Sequence, residues 1–242
     1  GLSSIKGGKT INMVGKEMNS YYGYKVVGVY QTLEECAEDP IAVANKLVPG
    51  DFKYEDVNGD GKLDEKDYVY LGSDDPKISY SFNVGIEWNN FDLSAVFQGT
   101  AKRTIFRDES NDNYRIPMRA AHLNSTTQSV GNVWSPDNRD GRYPTYTNIS
   151  TINNYNYQCS SWSVENGNYL RLKSLTLGYN FPASLLSKTK AISRLRIYVS
   201  GADLWEVSKI NDGWDPEASR KVSGNGRFPF NRTCTVGLDV TF

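Results

Sequence analysis

Twelve consecutive residues, 77–88, alternate without a break. Ile78, Tyr80, Phe82, Val84, Ile86 and Trp88 are apolar, and Lys77, Ser79, Ser81, Asn83, Gly85 and Glu87 stand between them. Period-two alternation of this length specifies a long strand with one apolar face. Asn89-Asn90 follows, and then Phe91, Leu93, Ala95 and Phe97 alternate with Asp92, Ser94 and Gln98. Asn tolerates positive φ, so the pair predicts a tight hairpin.

Three later segments repeat the pattern. Residues 169–181 change phase, with Leu170 and Leu172 first and then Leu175, Leu177, Tyr179 and Phe181, which predicts a bulge. Residues 194–206 set Leu195, Ile197 and Val199 against Arg194, Arg196 and Ser200. Residues 232–242 place Cys234, Val236, Leu238, Val240 and Phe242 on one face. A weaker strand covers 21–30, which makes about six in all. Helical pattern is confined to 33–47 and 182–191. Residues 102–167 read as one long polar loop with scattered aromatics and Pro, either functional or disordered, and extracellular if the chain is part of a barrel.

Two media could cover these apolar faces. A secreted β-sandwich buries them against a second sheet, and would bring Ile78, Phe82, Leu238 and Val240 together. A transmembrane β-barrel turns them to lipid. Strand length favours lipid, since soluble strands average about 5–6 residues and transmembrane strands need about 9–11. Trp88, Phe91, Tyr169, Phe181, Trp205 and Phe242 sit near strand ends, where barrels carry aromatic girdles. The connections after residue 77 run short, long, short, long, as barrel turns and outer loops do. About six strands are too few to close a barrel, which needs at least about eight, and an open edge is not tolerated in lipid. The chain therefore reads as part of a larger barrel. Its start at Gly1, without an initiator Met or leader, fits a mature product or a fragment.

Composition narrows the remaining classes. Of 242 residues, 27 are Lys or Arg and 28 Asp or Glu, so no basic excess exists to hold nucleic acid. Mean hydropathy is −0.55, which in a barrel arises because lumen-facing residues and outer loops dilute the lipid-facing half of each strand. The 16 Tyr suit either a sheet protein or a barrel. Cys36, Cys159 and Cys234 form no metal or redox spacing.

Residues 51–72 contain an acidic loop. Asp56, Asn58, Asp60, Asp64 and Asp67 occupy positions 1, 3, 5, 9 and 12 of a calcium-type sequence, with Gly61 at position 6 and Lys62 placed to offer its carbonyl. The last position is Asp rather than Glu, and 52–54 and 68–71 look extended instead of helical. A structural calcium ion is the expectation, against the plainer reading of an exposed acidic turn.

Catalytic signatures are missing. His122 is the single histidine and has no Ser or Cys nucleophile motif beside it. Asp108-Glu109 is a carboxylate pair common on polar loops, and no phosphate or dinucleotide loop occurs. No enzyme is expected. Trp134, Tyr143, Tyr146 and Trp162, with Tyr155 and Tyr157, form either a sugar-stacking or peptide-binding surface or a self-packed loop.

Together these segments resemble the C-terminal portion of the SusC/RagA family of outer-membrane transporters. The resemblance rests on 19–31 (NSYYGYKVVGVYQ), 50–64 (GDFKYEDVNGDGKLD), 92–99 (DLSAVFQG), 169–179 (YLRLKSLTLGY), 213–217 (GWDPE) and the closing 235–242. It implies that residues 1–242 form part of a 22-stranded, TonB-dependent barrel in the Gram-negative outer membrane of Bacteroidetes. It also implies a SusD-like surface lipoprotein as lid, TonB acting through an N-terminal plug outside this chain, and a glycan or peptide nutrient as cargo. Phe242 would be the barrel-assembly signal.

Overall fold

The computed structural model describes residues 17, 20–106, 129–188, 191–210, 215–217 and 231–242. His122, Asp108 and Glu109 lie outside the described residues. The chain divides into two compact units, one built from the segments up to Asp75 and Thr104–Glu165, the other from Pro76–Arg103, Asn166–Ala218 and Arg227–Phe242.

The first unit is a mixed assembly of short elements. Strand β1 (Ser20–Gly23) pairs antiparallel with β4 (Val69–Ser73), and β2 (Val26–Val29) with β3 (Phe52–Tyr54). The weak strand expected over 21–30 is thus two strands with two different partners. The helix expected over 33–47 is likewise broken, into α1 (Leu33–Glu38) and α2 (Pro40–Asn45). Pro40 cannot continue α1 but suits a first helical turn. Asp39 closes the break by accepting from the Ile41 N–H at 2.9 Å, and Thr32 caps α1 through the Glu35 N–H.

Residues 102–167 are not a single loop where they are described. They contain β7 (Thr104–Phe106), α3 (Ser150–Asn156) and β8 (Val164–Asn166). The polar sequence hid this order because side chains such as Tyr155 and Trp162 meet partners more than a hundred residues away, Tyr54 and Phe52. Ile152 and Tyr155 of α3 join Tyr24, Tyr30, Cys36, Ile41, Ala42, Leu47, Phe52 and Tyr54 in one core. Asn156 is buried beside them, donating to Asp51 Oδ1 at 2.8 Å and accepting from the Phe52 N–H at 2.9 Å.

This core also accounts for much of the tyrosine. A buried Tyr hydroxyl needs a partner: Tyr30 donates to Asp39 Oδ2 at 2.7 Å, and Tyr54 to the carbonyl of Tyr155 at 2.9 Å. Among the described residues the first unit buries Tyr21, Tyr24, Tyr30, Tyr54, Tyr143, Tyr155 and Tyr157, while Tyr80, Tyr169, Tyr179 and Tyr198 lie on the long strands.

The second unit is one antiparallel sheet of five strands: β5 (Ile78–Trp88), β6 (Phe91–Ala101), β9 (Tyr169–Asn180), β10 (Arg194–Ser208) and β11 (Thr233–Thr241), ordered β11-β10-β9-β6-β5. The β5–β6 hairpin turns at Asn89 and Asn90 with φ of 52° and 71°, as their tolerance of positive φ predicts. The segment 182–191 supplies one turn, α4 (Ala183–Leu186). The bulge expected in β9 falls at Lys173, because Val96 faces Ser174 while the next residue, Phe97, faces Leu172. Strand β10 bulges at the same level, around Asp203 with φ 55°. The extra residue keeps Leu170, Leu172, Leu175 and Leu177 all on the apolar side.

Candidate functional site

The two faces of the five-stranded sheet differ in chemistry. Strand register carries apolar rows across all five strands. One row is Ile86, Leu93, Leu177, Val199 and Val236, and the next is Trp88, Phe91, Tyr179, Ile197 and Leu238. Phe82 and Phe97 face each other with ring centroids 4.7 Å apart. Most of these side chains are uncovered: Phe82 is 47% exposed, Leu238 60% and Trp88 71%. Five strands about 4.8 Å apart and 11 residues long at about 3.4 Å each give a face on the order of 900 Å². That exceeds the few hundred Å² that soluble monomers leave bare. The sandwich expectation fails here, because Ile78, Phe82 and Leu238 are exposed instead of buried together. Phe242 continues the same side of the chain's last strand and is 87% exposed.

The opposite face is polar. Ser94, Thr176, Ser200 and Thr235 form one row, and Ser81, Gln98, Arg171 and Glu206 another. Near the Asn89-Asn90 turn, Asp92 of β6 takes a bidentate contact from Arg196 of β10, at 3.0 Å from Nε and 2.6 Å from Nη2. The pair passes over Gly178 of β9, where any side chain would collide with both groups. Toward the other end, Arg171 is fully buried. Its Nε donates to Glu206 Oε2 at 2.9 Å, its Nη2 to Asp215 Oδ1 at 2.6 Å, and its Nη1 lies 3.1 Å from Glu217 Oε2. Lys173 Nζ sits 2.9 Å from Asp203 and 3.0 Å from Glu217. A buried guanidinium is tolerated only when paired in this way. Sequence reading passed over Arg171, although 213–217 stood out as a motif.

The acidic loop joins β3 to β4, between strands and not helices. Asp56 accepts from the N–H groups of Gly59 at 2.8 Å and Gly61 at 2.7 Å, and Gly61 has φ +74°. Asn58 accepts from the Asp60 N–H, Asp60 from Lys62, and Asp64 from Lys66. Asp67 is fully buried and clamps both ends, accepting from Val57 at 3.0 Å and Asp64 at 2.9 Å. That clamp fits the shorter Asp at the last position. Among the described residues no three or more His, Cys, Asp or Glu side chains form a metal cage.

The four candidate substrate aromatics are mostly used for packing. Trp134 is buried and its indole donates to Gln31 Oε1 at 3.0 Å. Tyr143 is buried edge-on to Trp162, which also touches Phe52 and Tyr157 and donates to the Arg142 carbonyl. Tyr146 alone of the four is exposed, at 40%. A sugar-stacking platform needs open ring faces, and Trp134 and Tyr143 do not offer them.

No family model matches the chain. Over 239 residues it is 30% identical to TonB-dependent receptor P3 of Formosa agariphila, covering 94% of this chain and 22% of that protein. It is 23% identical to TonB-dependent receptor SusC of Bacteroides thetaiotaomicron, over 95% of this chain and 20% of that one. The chain thus spans about a fifth to a quarter of the length of the curated relatives it matches. Among solved structures, the RagAB peptide transporter superposes with a TM-score of 0.72 at 20% identity, covering 99% of this chain and 24% of the matched one. That likeness establishes a shared fold for the segment.

Proposed function

We propose, from the premise that this chain matches a segment of the SusC/RagA-type TonB-dependent receptors, that it forms part of the wall of an outer-membrane nutrient importer in a Gram-negative bacterium. The observation that carries the reading is the uncovered apolar face, continuous over five strands of 9 to 15 residues. Lipid covers such a face without a second sheet. The polar face then lines the interior, and further strands continue the sheet at β5 and β11, toward a barrel of 22. In this reading Phe242, exposed on the apolar side of β11, serves barrel assembly, as the family resemblance implies.

The relatives support the rest of the assignment by analogy. RagAB is named a peptide transporter, which supports peptide within the proposed cargo class of glycan or peptide. A SusD-like lipoprotein is the proposed outer partner, and TonB the proposed energy source through a plug outside this chain. The relatives are receptors and a transporter, which agrees with a non-enzymatic role. Calcium remains part of the proposal: Asp56, Asn58, Asp60, Asp64 and Asp67, with the Lys62 carbonyl, would hold it as a brace of 51–72. The ligand spacing supports this. A substrate role for Tyr146 is kept on its exposure.

Nitroxide labels at Phe82 and Val84 of the full-length gene product, reconstituted in lipid vesicles, test the wall assignment. Accessibility to oxygen well above that to a water-soluble nickel chelate is expected at both. Preferential access to the chelate would rule the assignment out.

A further inference from the structure

The Arg171 cluster does more than neutralise a buried charge. Asp215 and Glu217 reach Arg171 and Lys173 from outside the strands, while Glu206 and Asp203 reach them from β10. Between the two outside carboxylates, the Pro216 side chain is fully buried. Its carbonyl accepts from Arg103 Nη1 at 2.6 Å. The Glu217 N–H donates to Asp215 Oδ1 at 2.9 Å, which fixes the local turn. The bulges at Lys173 and Asp203 lie at one level in adjacent strands, and a bulge re-aims side chains out of the regular ladder.

We infer that residues 215–217 are a strap, stapled across the polar face by Arg171, Lys173 and Arg103. Where the strap lies, it and not the strands presents the surface that a passing solute meets. The second statement rests on the wall assignment above, since only a barrel makes the polar face a passage. The first does not. Three basic side chains, Arg103 just past β6 and Arg171 and Lys173 of β9, hold three consecutive residues by three ion pairs, two of them to the one Glu217 carboxylate, and by one hydrogen bond to the Pro216 carbonyl. Charge-assisted contacts of this kind are the strong ones, and the burial of Arg171 reduces their screening by salt.

The test is cysteine accessibility in the full-length gene product, extracted in detergent, with maleimide labelling at Pro216→Cys read by peptide mass spectrometry. Labelling is expected to be slow in this background and to rise at least about tenfold when Asp215→Asn and Glu217→Gln are added, a shift that loss of about 1.4 kcal/mol of anchoring produces. Equal rates with and without the two substitutions would overturn the strap. So would labelling of Pro216→Cys as fast as of Lys209→Cys, an exposed position. If the triple variant does not assemble, Lys173→Gln in the Pro216→Cys background replaces it. That change keeps the Arg171 pairs and is expected to give a smaller rise, and no rise would again count against the strap. Should the nitroxide experiment fail while labelling behaves as expected, the strap stands and only its place in a passage is lost.

Discussion

Tyr80 of β5 lies across Gly99 of β6 and donates its hydroxyl to the carbonyl of Tyr169 on β9, at 3.0 Å. One side chain thereby spans three strands, and it does so because residue 99 has no Cβ. A methyl there would strike the Tyr169 carbonyl and the Tyr80 ring. Gly99→Ala is therefore expected to destabilise the sheet by about 1–3 kcal/mol, the range for overpacking. Tyr80→Phe should cost about 1 kcal/mol, the worth of one hydrogen bond. Urea midpoints of the vesicle-reconstituted protein, followed by tryptophan fluorescence, separate the two.

The two faces of β5 predict opposite responses to charge. Val84 stands in the apolar face and Asn83, its neighbour, in the polar one. Val84→Arg is expected to cost about 2–4 kcal/mol if it meets mid-membrane lipid, and Asn83→Arg to stay within about 0.5 kcal/mol. Equal effects in the same urea assay would remove the distinction between a lipid face and an interior face.

The acidic loop separates an ion effect from a folding effect. Asp60→Ala removes one proposed calcium ligand and one exposed Asx contact, so it should abolish calcium-dependent protection of 51–72 against protease and change little in chelator. Asp67→Ala removes the buried clamp between Val57 and Asp64. It should loosen the loop with or without calcium, at about 1–3 kcal/mol for the stranded N–H groups. Protection of the unsubstituted protein that is identical with calcium and with chelator would show that no ion is held there.

Glu35 predicts a pH response in the first unit. The Gln31 N–H at 2.8 Å, and then the Lys53 ammonium at 2.9 Å, hold its carboxyl below the usual carboxylate range. A lowered folded value means the contact is at full strength above the ordinary carboxylate pKa and is lost as pH falls through the folded one. Hydrogen-exchange protection of the Gln31 amide, corrected for intrinsic rates, should hold at neutral pH and decline in acid. In Glu35→Gln that decline should be absent.

The long strands were legible because alternation is local. Each of β5, β6, β9, β10 and β11 announces its own face, and the phase change between Leu172 and Leu175 predicted a bulge without knowledge of its neighbours. The hairpin was equally readable from two adjacent Asn. What sequence could not supply was pairing at a distance. Asn156 meets Asp51 and Phe52 across more than a hundred residues, so 102–167 looked like loop while parts of it were core. Whether Trp134, Tyr143 and Trp162 form a platform or pack inward stayed open for the same reason, since an aromatic on a polar stretch gives no sign of which ring it will lean on. Arg171 sits in a strand whose alternation marks it only as polar, and its burial comes from Asp215 and Glu217, some forty residues later.

The register of β6 against β9 carries a kinetic consequence. The hairpin β5–β6 closes over two residues, but Thr100 meets Tyr169 only after the whole of 101–168 has been made. Contacts of such separation form slowly, because loop closure must precede them. During folding β6 is therefore expected to wait with its second edge bare, while the elements of 104–165 join residues 24–54 in the core of the first unit. A bare edge beside an apolar face is a template for other chains. The interval between the hairpin and the sheet is thus the point at which this polypeptide most depends on an escort.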